Sequence, residues 1–181
     1  IQNIYYVRDY AVDPSDGIPT LVRSEFDLSG GALSQRPAQA LVEGIERFRV
    51  ELGIDNISET GVDIIDESST CDGNPCHWKT AINWDDPDNR ITPRNRGDGV
   101  PDGNFVHCTD AAPCTAAQLA NTVSVKLYLL ARANEASPGY TDTKSYTMGG
   151  LNVPAFNDGF KRHVFSTSVR LQNVAGRRET P

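Results

Sequence analysis

The sequence has no run of 18 apolar residues, so no helical membrane span is expected within residues 1–181. It has no Gly-x-Gly-x-x-Gly, no Walker loop and no His-Glu-x-x-His. Those absences remove the usual signatures of dinucleotide binding, phosphate cradling and zinc proteolysis. There is no Gly-x-Ser-x-Gly turn, and His77, His107 and His163 are the only histidines. The first two adjoin cysteines in loop sequence and the third opens a strand. No nucleophile is therefore expected within hydrogen-bond reach of a base, no catalytic residue is assigned, and the chain reads as a non-enzyme. An enzyme would need an organised pocket around His163 or His107. Basic residues are outnumbered, with 17 Lys and Arg against 24 Asp and Glu for a net charge of −7. A surface of that sign repels phosphate backbones, so nucleic acid is excluded as a partner. There is no internal repeat, low-complexity tract or signal peptide, and the chain opens on Ile1 instead of Met. That opening leads us to expect a processed or shortened chain with a targeting segment upstream.

What is present suits one loop-rich globular domain: 181 residues, 38% hydrophobic, with 15 Gly and 11 Pro. The longest apolar run is residues 121–133. Val123, Val125, Leu127 and Leu129 recur at period 2, with Ser124, Lys126 and Tyr128 between them until Leu130 breaks the pattern. Successive strand side chains point to opposite faces, so this is a half-buried strand near the middle of a sheet. Its expected partner is residues 42–55, where Phe48, Val50 and Leu52 alternate with Arg47, Arg49 and Glu51. Helix is the rival there, because Leu41, Ile45, Phe48 and Leu52 also fit a helical spacing. Gly44 weakens a helix interior and favours the strand.

Around that pair the chain reads in order. Ile4 to Val7 is a strand, residues 12–17 a Pro- and Gly-containing turn, and residues 18–26 a second strand that completes a hairpin. Pro19 puts that second strand at a sheet edge. Residues 27–36 read as loop, and residues 37–42 as a short helical turn opened by Pro37. Residues 56–120 form a loop-rich excursion, rich in Cys and Asp, with Trp78, Ile82 and Trp84 as packing anchors. Thr115 is a candidate N-cap for a short helix over residues 115–120. Residues 135–160 read as a second long loop with Gly149-Gly150 as a breaker. The tract 136–146 is a solvated loop or an assembly face. Phe165, Thr167, Val169 and Leu171 mark a last strand, and the tail from Ala175 is polar and frayed.

Two features are candidate sites. Four cysteines fall in two local pairs, Cys71 with Cys76 and Cys108 with Cys114, inside Gly-, Pro- and Asp-rich loops. An even count in such loops points to disulfides and an oxidising compartment. Three connectivities are possible, of which the local one is preferred. Zinc is the alternative, because His77 and His107 adjoin cysteines, though the spacing is not a Cys-x-x-Cys ligand pair. The second feature is residues 95–104, where Asn95, Asp98 and Asp102 stand among glycines. Closely spaced Asp and Asn oxygens can wrap Ca²⁺, and Asp85, Asp86 and Asp88 could add ligands. The same residues also make an ordinary turn. The EF-hand pattern is absent, no cofactor is required, and Arg96-Gly97-Asp98 reads as a chance tripeptide.

Several phrases in order resemble a known family. Ile4-Tyr5-Tyr6-Val7-Arg8-Asp9 and Gly17-Ile18-Pro19-Thr20-Leu21-Val22-Arg23 resemble the opening of the PilW family of type IV pilus minor pilins. Leu41-Val42-Glu43-Gly44-Ile45-Glu46, with Glu51-Leu52-Gly53-Ile54-Asp55, resembles its next segment. Val123-Ser124-Val125-Lys126-Leu127-Tyr128-Leu129-Leu130-Ala131-Arg132 is similar to its long strand. Phe165 through Val169-Arg170-Leu171-Gln172-Asn173, then Gly176-Arg177-Arg178, resembles its C-terminal signature. The resemblance implies an α+β, mainly antiparallel pilin-like domain over residues 1–181, with long disulfide-stapled loops. Its N-terminal helix would be missing from this chain and would supply the only membrane contact. The family is also similar to J-type pseudopilins of type II secretion. The implied function is to join other minor pilins and a PilY-type adhesin, priming pilus assembly and sitting at the tip. The protein would occupy the inner membrane and periplasm first and the extracellular pilus afterwards. A strand edge at residues 4–7 or 18–26 could pair with a partner. The alternative is a calcium-dependent extracellular adhesion module using residues 95–104.

Overall fold

A computed structural model describes residues 2–55, 64–71, 74–78 and 99–175, with backbone alone for 64–71 and 74–78. In chain order the described elements are β1 (Gln2–Arg8), β2 (Thr20–Ser29), β3 (Ala32–Gln35), β4 (Gln39–Glu43), β5 (Ile45–Ile54), β6 (Ile64–Cys71), β7 (Asn74–Trp78), α1 (Ala116–Ala120), β8 (Thr122–Arg132), β9 (Tyr146–Met148), β10 (Leu151–Val153), β11 (Arg162–Arg170) and α2 (Gln172–Ala175). The chain divides into two compact units: residues 1–50 with 127–167, and residues 51–126 with 168–181.

In the first unit β1 and β2 form the expected antiparallel hairpin, with Gln2 opposite Phe26 and Arg8 opposite Thr20. The turn between them is closed by one side chain. The Asp16 carboxylate accepts from the amides of Ile18, Val12 and Asp13 at 2.9, 2.8 and 3.0 Å. These donors hold its carboxyl well below the usual range. Strand β2 is not an edge, contrary to the reading from Pro19. One side pairs with β1, and the other is shared by β3 and β4. Two further expectations for this region are corrected. Residues 27–36 contain β3, because Gly30 and Gly31 both have positive φ (61° and 85°). A two-residue loop with positive φ at both positions is the tight hairpin turn that twisted strands prefer. Residues 37–42 contain β4 and no helical turn.

Gly44 separates β4 from β5. Its φ is 76°, and its carbonyl accepts from the Arg132 amide at 2.7 Å. The helical alternative for residues 38–52 is thereby settled in favour of two strands with a glycine corner. Strands β11, β8 and β5 pair in that order, with the longest apolar run in the middle as expected. The start of β5 is bonded to the end of β8 through Gly44 and Arg132, and the Asp55 amide after β5 reaches Asn121 before β8 at 3.0 Å. Those two bonds make the pair antiparallel. The stretch 135–160, expected as loop, contains the β9–β10 hairpin, with Tyr146 opposite Val153.

In the second unit, Leu52 and Val106 exchange both main-chain bonds at 2.7 and 2.8 Å. A methyl group at Gly53 would run into Ser124, Pro101 and Phe105, so the chain passes closely there. Helix α1 starts where expected. The Thr115 hydroxyl accepts from the Gln118 amide at 3.1 Å and the Gln118 side chain accepts from the Thr115 amide at 2.9 Å. That reciprocal cap satisfies two donors that the helix leaves open. Ala175, read as the start of a frayed tail, is fully buried at the end of α2. Strands β6 and β7 form an antiparallel hairpin. The expected anchors Ile82 and Trp84, and residues 176–181, lie outside the described residues.

Candidate functional site

The two faces of β8 meet different fates within the first unit. Tyr128 and Leu130 point to one side, where they are buried with Tyr146, Met148 and Val153. Leu151, Phe156 and Val164 pack against that cluster. The opposite face, with Leu127 and Leu129, is the one that periodicity marks as core. It is only half-buried. Together with Phe48 and Val50 of β5 and Phe165 of β11, these leucines line an apolar groove of about 600 Å³. Tyr5 of β1, Leu21 of β2 and Leu41 of β4 also line it. Phe165 is 55% exposed, Tyr5 48% and Leu41 43%. Single exposed apolar side chains are ordinary, but a contiguous set of this kind marks a surface built to be covered.

Strand β11 joins this groove to a buried ionic centre by simple alternation. Its odd residues His163 and Phe165 touch edge-on, ring centres 4.6 Å apart, and both are exposed. The even residue Arg162 is buried. Its Nη1 donates to Asp142 at 3.0 Å and to Asp158 at 2.6 Å, and its Nε donates to Glu46 at 2.7 Å. The guanidinium also lies 3.7 Å from the Phe156 ring centre. The Tyr146 hydroxyl donates to Asp142 at 2.8 Å. Burial alone would raise the Asp142 carboxyl, but the donors Tyr146 and Arg162 outweigh it and hold it below its ordinary value. The Arg162 donors pull Asp158 down to about 2. Burial, then the bond to Asp142, pushes the Tyr146 hydroxyl up to about 12. Burial opposes the charge on Arg162, yet its carboxylate partners raise its affinity for the proton further, so it stays charged. Charges this closely bonded act as a fastening. They tie the segment between β8 and β11 to the start of β5.

This centre was not visible in the sequence, where residues 136–146 read as solvated loop. Asp142 and Tyr146 are buried. The one available signal was that Asp142, Asp158 and Arg162 fall within 21 residues of one another.

The residues singled out from sequence are placed as follows. Cys108 and Cys114 form a disulfide with Cα atoms 5.1 Å apart. Cys71 and Cys76 lie on β6 and β7, across from Asn74 and Asp66, and their side chains lie outside the described residues. Asn95 and Asp98 lie outside them too, as do Asp85, Asp86 and Asp88. Asp102 is exposed, and its amide donates to the Ile54 carbonyl at 2.9 Å. Beside it Gly99, at φ 78°, donates its amide to the buried Asp55 carboxylate at 2.8 Å. Among the described residues no group of three or more His, Cys, Asp or Glu could hold a metal ion. His107 falls in the second unit and His163 in the first.

Among the described residues of the first unit, the sheet therefore has one face buried under the β9–β10 hairpin and a half-buried face that lines the apolar groove. The chain belongs to the Type IV Pilus-assembly protein W family, whose model matches residues 4–173. No curated protein and no solved structure matches the chain. The family gives it a role in type IV pilus assembly, among other pilus components and at the cell envelope. Among the described residues no helix is long and apolar enough to cross a membrane.

Proposed function

We propose that the chain is a minor pilin. In this reading it assembles with other minor pilins to prime the type IV pilus, and it sits with them and a PilY-type adhesin at the tip. The apolar groove, open among the described residues, is the observation that supports this. Three strands at about 4.8 Å spacing make a floor about 10 Å across, which suits a helix of about 10–12 Å diameter. An apolar helix preceding Ile1 would anchor the protein in the inner membrane before assembly. Its last turns would lie against Leu127, Leu129 and Phe165, removing from water the area those side chains now expose. That burial is worth about 25 cal/mol per Å² of apolar surface.

The test uses the gene with its natural upstream segment, expressed in a strain lacking it. Leu129→Asp and Phe165→Asp are expected to reduce surface pili to the level of the deletion strain. They are also expected to prevent recovery of the protein with the other minor pilins. Both positions are partly exposed in this domain, so the variants should still fold. Normal piliation in both variants would overturn the reading.

A further inference from the structure

A second cleft in the first unit, of about 340 Å³, is lined by residues 5–7 of β1 and 46–49 of β5, with Met148 and Leu151. Consecutive strand residues point alternately to opposite faces. A cleft lined by three consecutive residues of one strand and four of another therefore runs along their edges, not across a face. Topology agrees. Among the described residues β1 ends its sheet, with β2 on its other side, and β5 is outermost in the β11-β8-β5 order, bridged on its outer edge only at Leu52, to Val106. Strand β2, the other candidate edge in the sequence, is occupied on both sides.

We propose that this slot receives an extended segment of a partner protein, hydrogen-bonded through its main chain to β1 and β5. It would span three to four residues, about 10–13 Å of strand at about 3.3 Å per residue. An open edge is a template for such pairing, and main-chain bonds supply affinity while alternate side chains supply selectivity. The side chains around the slot define the occupant. Tyr5 and Phe48 line this cleft as well as the apolar groove, so one face of the incoming strand is apolar. Glu46 is already held by Arg162 at 2.7 and 3.1 Å. Arg47 is exposed, and among the described residues it meets only the Phe156 ring, 6.0 Å away, and no carboxylate. The partner segment therefore sets an Asp or Glu between apolar residues, where it would pair with Arg47. This extends the assembly role from a helix in a groove to a strand at an edge, and the two surfaces fail independently.

The probe is a fluorescein-labelled peptide of sequence Thr-Asp-Val-Asp-Val-Asp-Thr, titrated into the purified chain by anisotropy. Binding is expected, weakened at least tenfold by Arg47→Glu and by added salt. Two further probes should fail to bind: the same peptide with Lys for Asp, and one N-methylated on alternate amides. Amide exchange at residues 5–7 should slow when the acidic peptide is bound. Equal binding of the Lys or N-methylated peptide would overturn the proposal, as would no binding or unchanged exchange at residues 5–7. A dimer of the chain that blocks the peptide would assign the slot to a second copy and also overturn it. Arg47→Glu alters an exposed side chain, so an unchanged melting midpoint separates lost recognition from lost folding.

Discussion

Arg162 reaches back 116 residues in sequence to Glu46 and closes a two-bond fork, Nε to Oε2 at 2.7 Å and Nη2 to Oε1 at 3.1 Å. The same guanidinium serves Asp142 and Asp158, so three carboxylates converge on one cation. Arg132, 3.9 Å from Glu46, supplies a second positive charge. Such a centre is costly to break from the Arg162 side, because Asp142 is fully buried and would lose its cation.

Arg162→Met is therefore expected to destabilise the chain by about 3–5 kcal/mol, read as a lowered urea midpoint. Arg162→Lys should recover only part of this, since an ammonium cannot reproduce the planar fork. A loss below about 1 kcal/mol would show that the centre contributes little net stability.

The same centre sets the pH limits. Asp158 is lowered to about 2 and Asp142 is lowered as well, both from an ordinary value near 3.8. A carboxyl depressed in the folded state contributes stability above its unfolded value and loses it as pH falls through its folded value. Stability from these groups should be flat from neutral pH to about 4, then fall between about 4 and 2. Tyr146 behaves oppositely. Its pKa is raised from 10.0 to about 12, so its contribution is full below pH 10 and is lost as pH rises towards 12. Tyr146→Phe should remove that alkaline limb from a stability–pH profile, at the cost of the hydrogen bond to Asp142.

Neighbouring leucines on β8 should separate folding from assembly. Leu130 is fully buried, and Leu130→Ala should cost about 2–5 kcal/mol in denaturant unfolding. Leu129 is half-buried in the groove, and Leu129→Ala should cost well under half as much. Equal losses would mean that the groove face is covered within this domain.

Gly44→Ala tests the corner between β4 and β5. At φ 76° a side chain is strained, and its Cβ would lie 2.7 Å from the Arg132 carbonyl. A loss of more than about 1 kcal/mol is expected, with the Arg132 amide exchanging faster. An unchanged midpoint would show that the corner relaxes freely.

Much of the strand plan was legible. The alternation in β5, β8 and β11 locates those strands, because burying one face of a sheet imposes period 2 on the chain, and β1 and β2 are located by β-branched and aromatic content on either side of a Pro- and Gly-containing turn. The Thr115 cap and the Cys108–Cys114 disulfide were legible too, being local chemistry within six residues. Strand β4 was read as a helical turn and the β6–β7 hairpin as loop, and strands β3 and β9–β10 were missed. The last three are short and turn through Gly30-Gly31 and Gly149-Gly150, and paired glycines read equally well as loop. The ionic centre was illegible because its members come from three separate segments.

The sequence by itself determined that the chain is β-rich and acidic and that β8 lies in mid-sheet beside β5. Only the tertiary structure decided which face of β8 is core. Periodicity marks the face of Leu127 and Leu129, yet the face of Tyr128 and Leu130 is the one buried. The choice is made by what lies over each face. The β9–β10 hairpin, held by Asp142 and Arg162, covers Tyr128 and Leu130, and among the described residues the other face is left as an open groove.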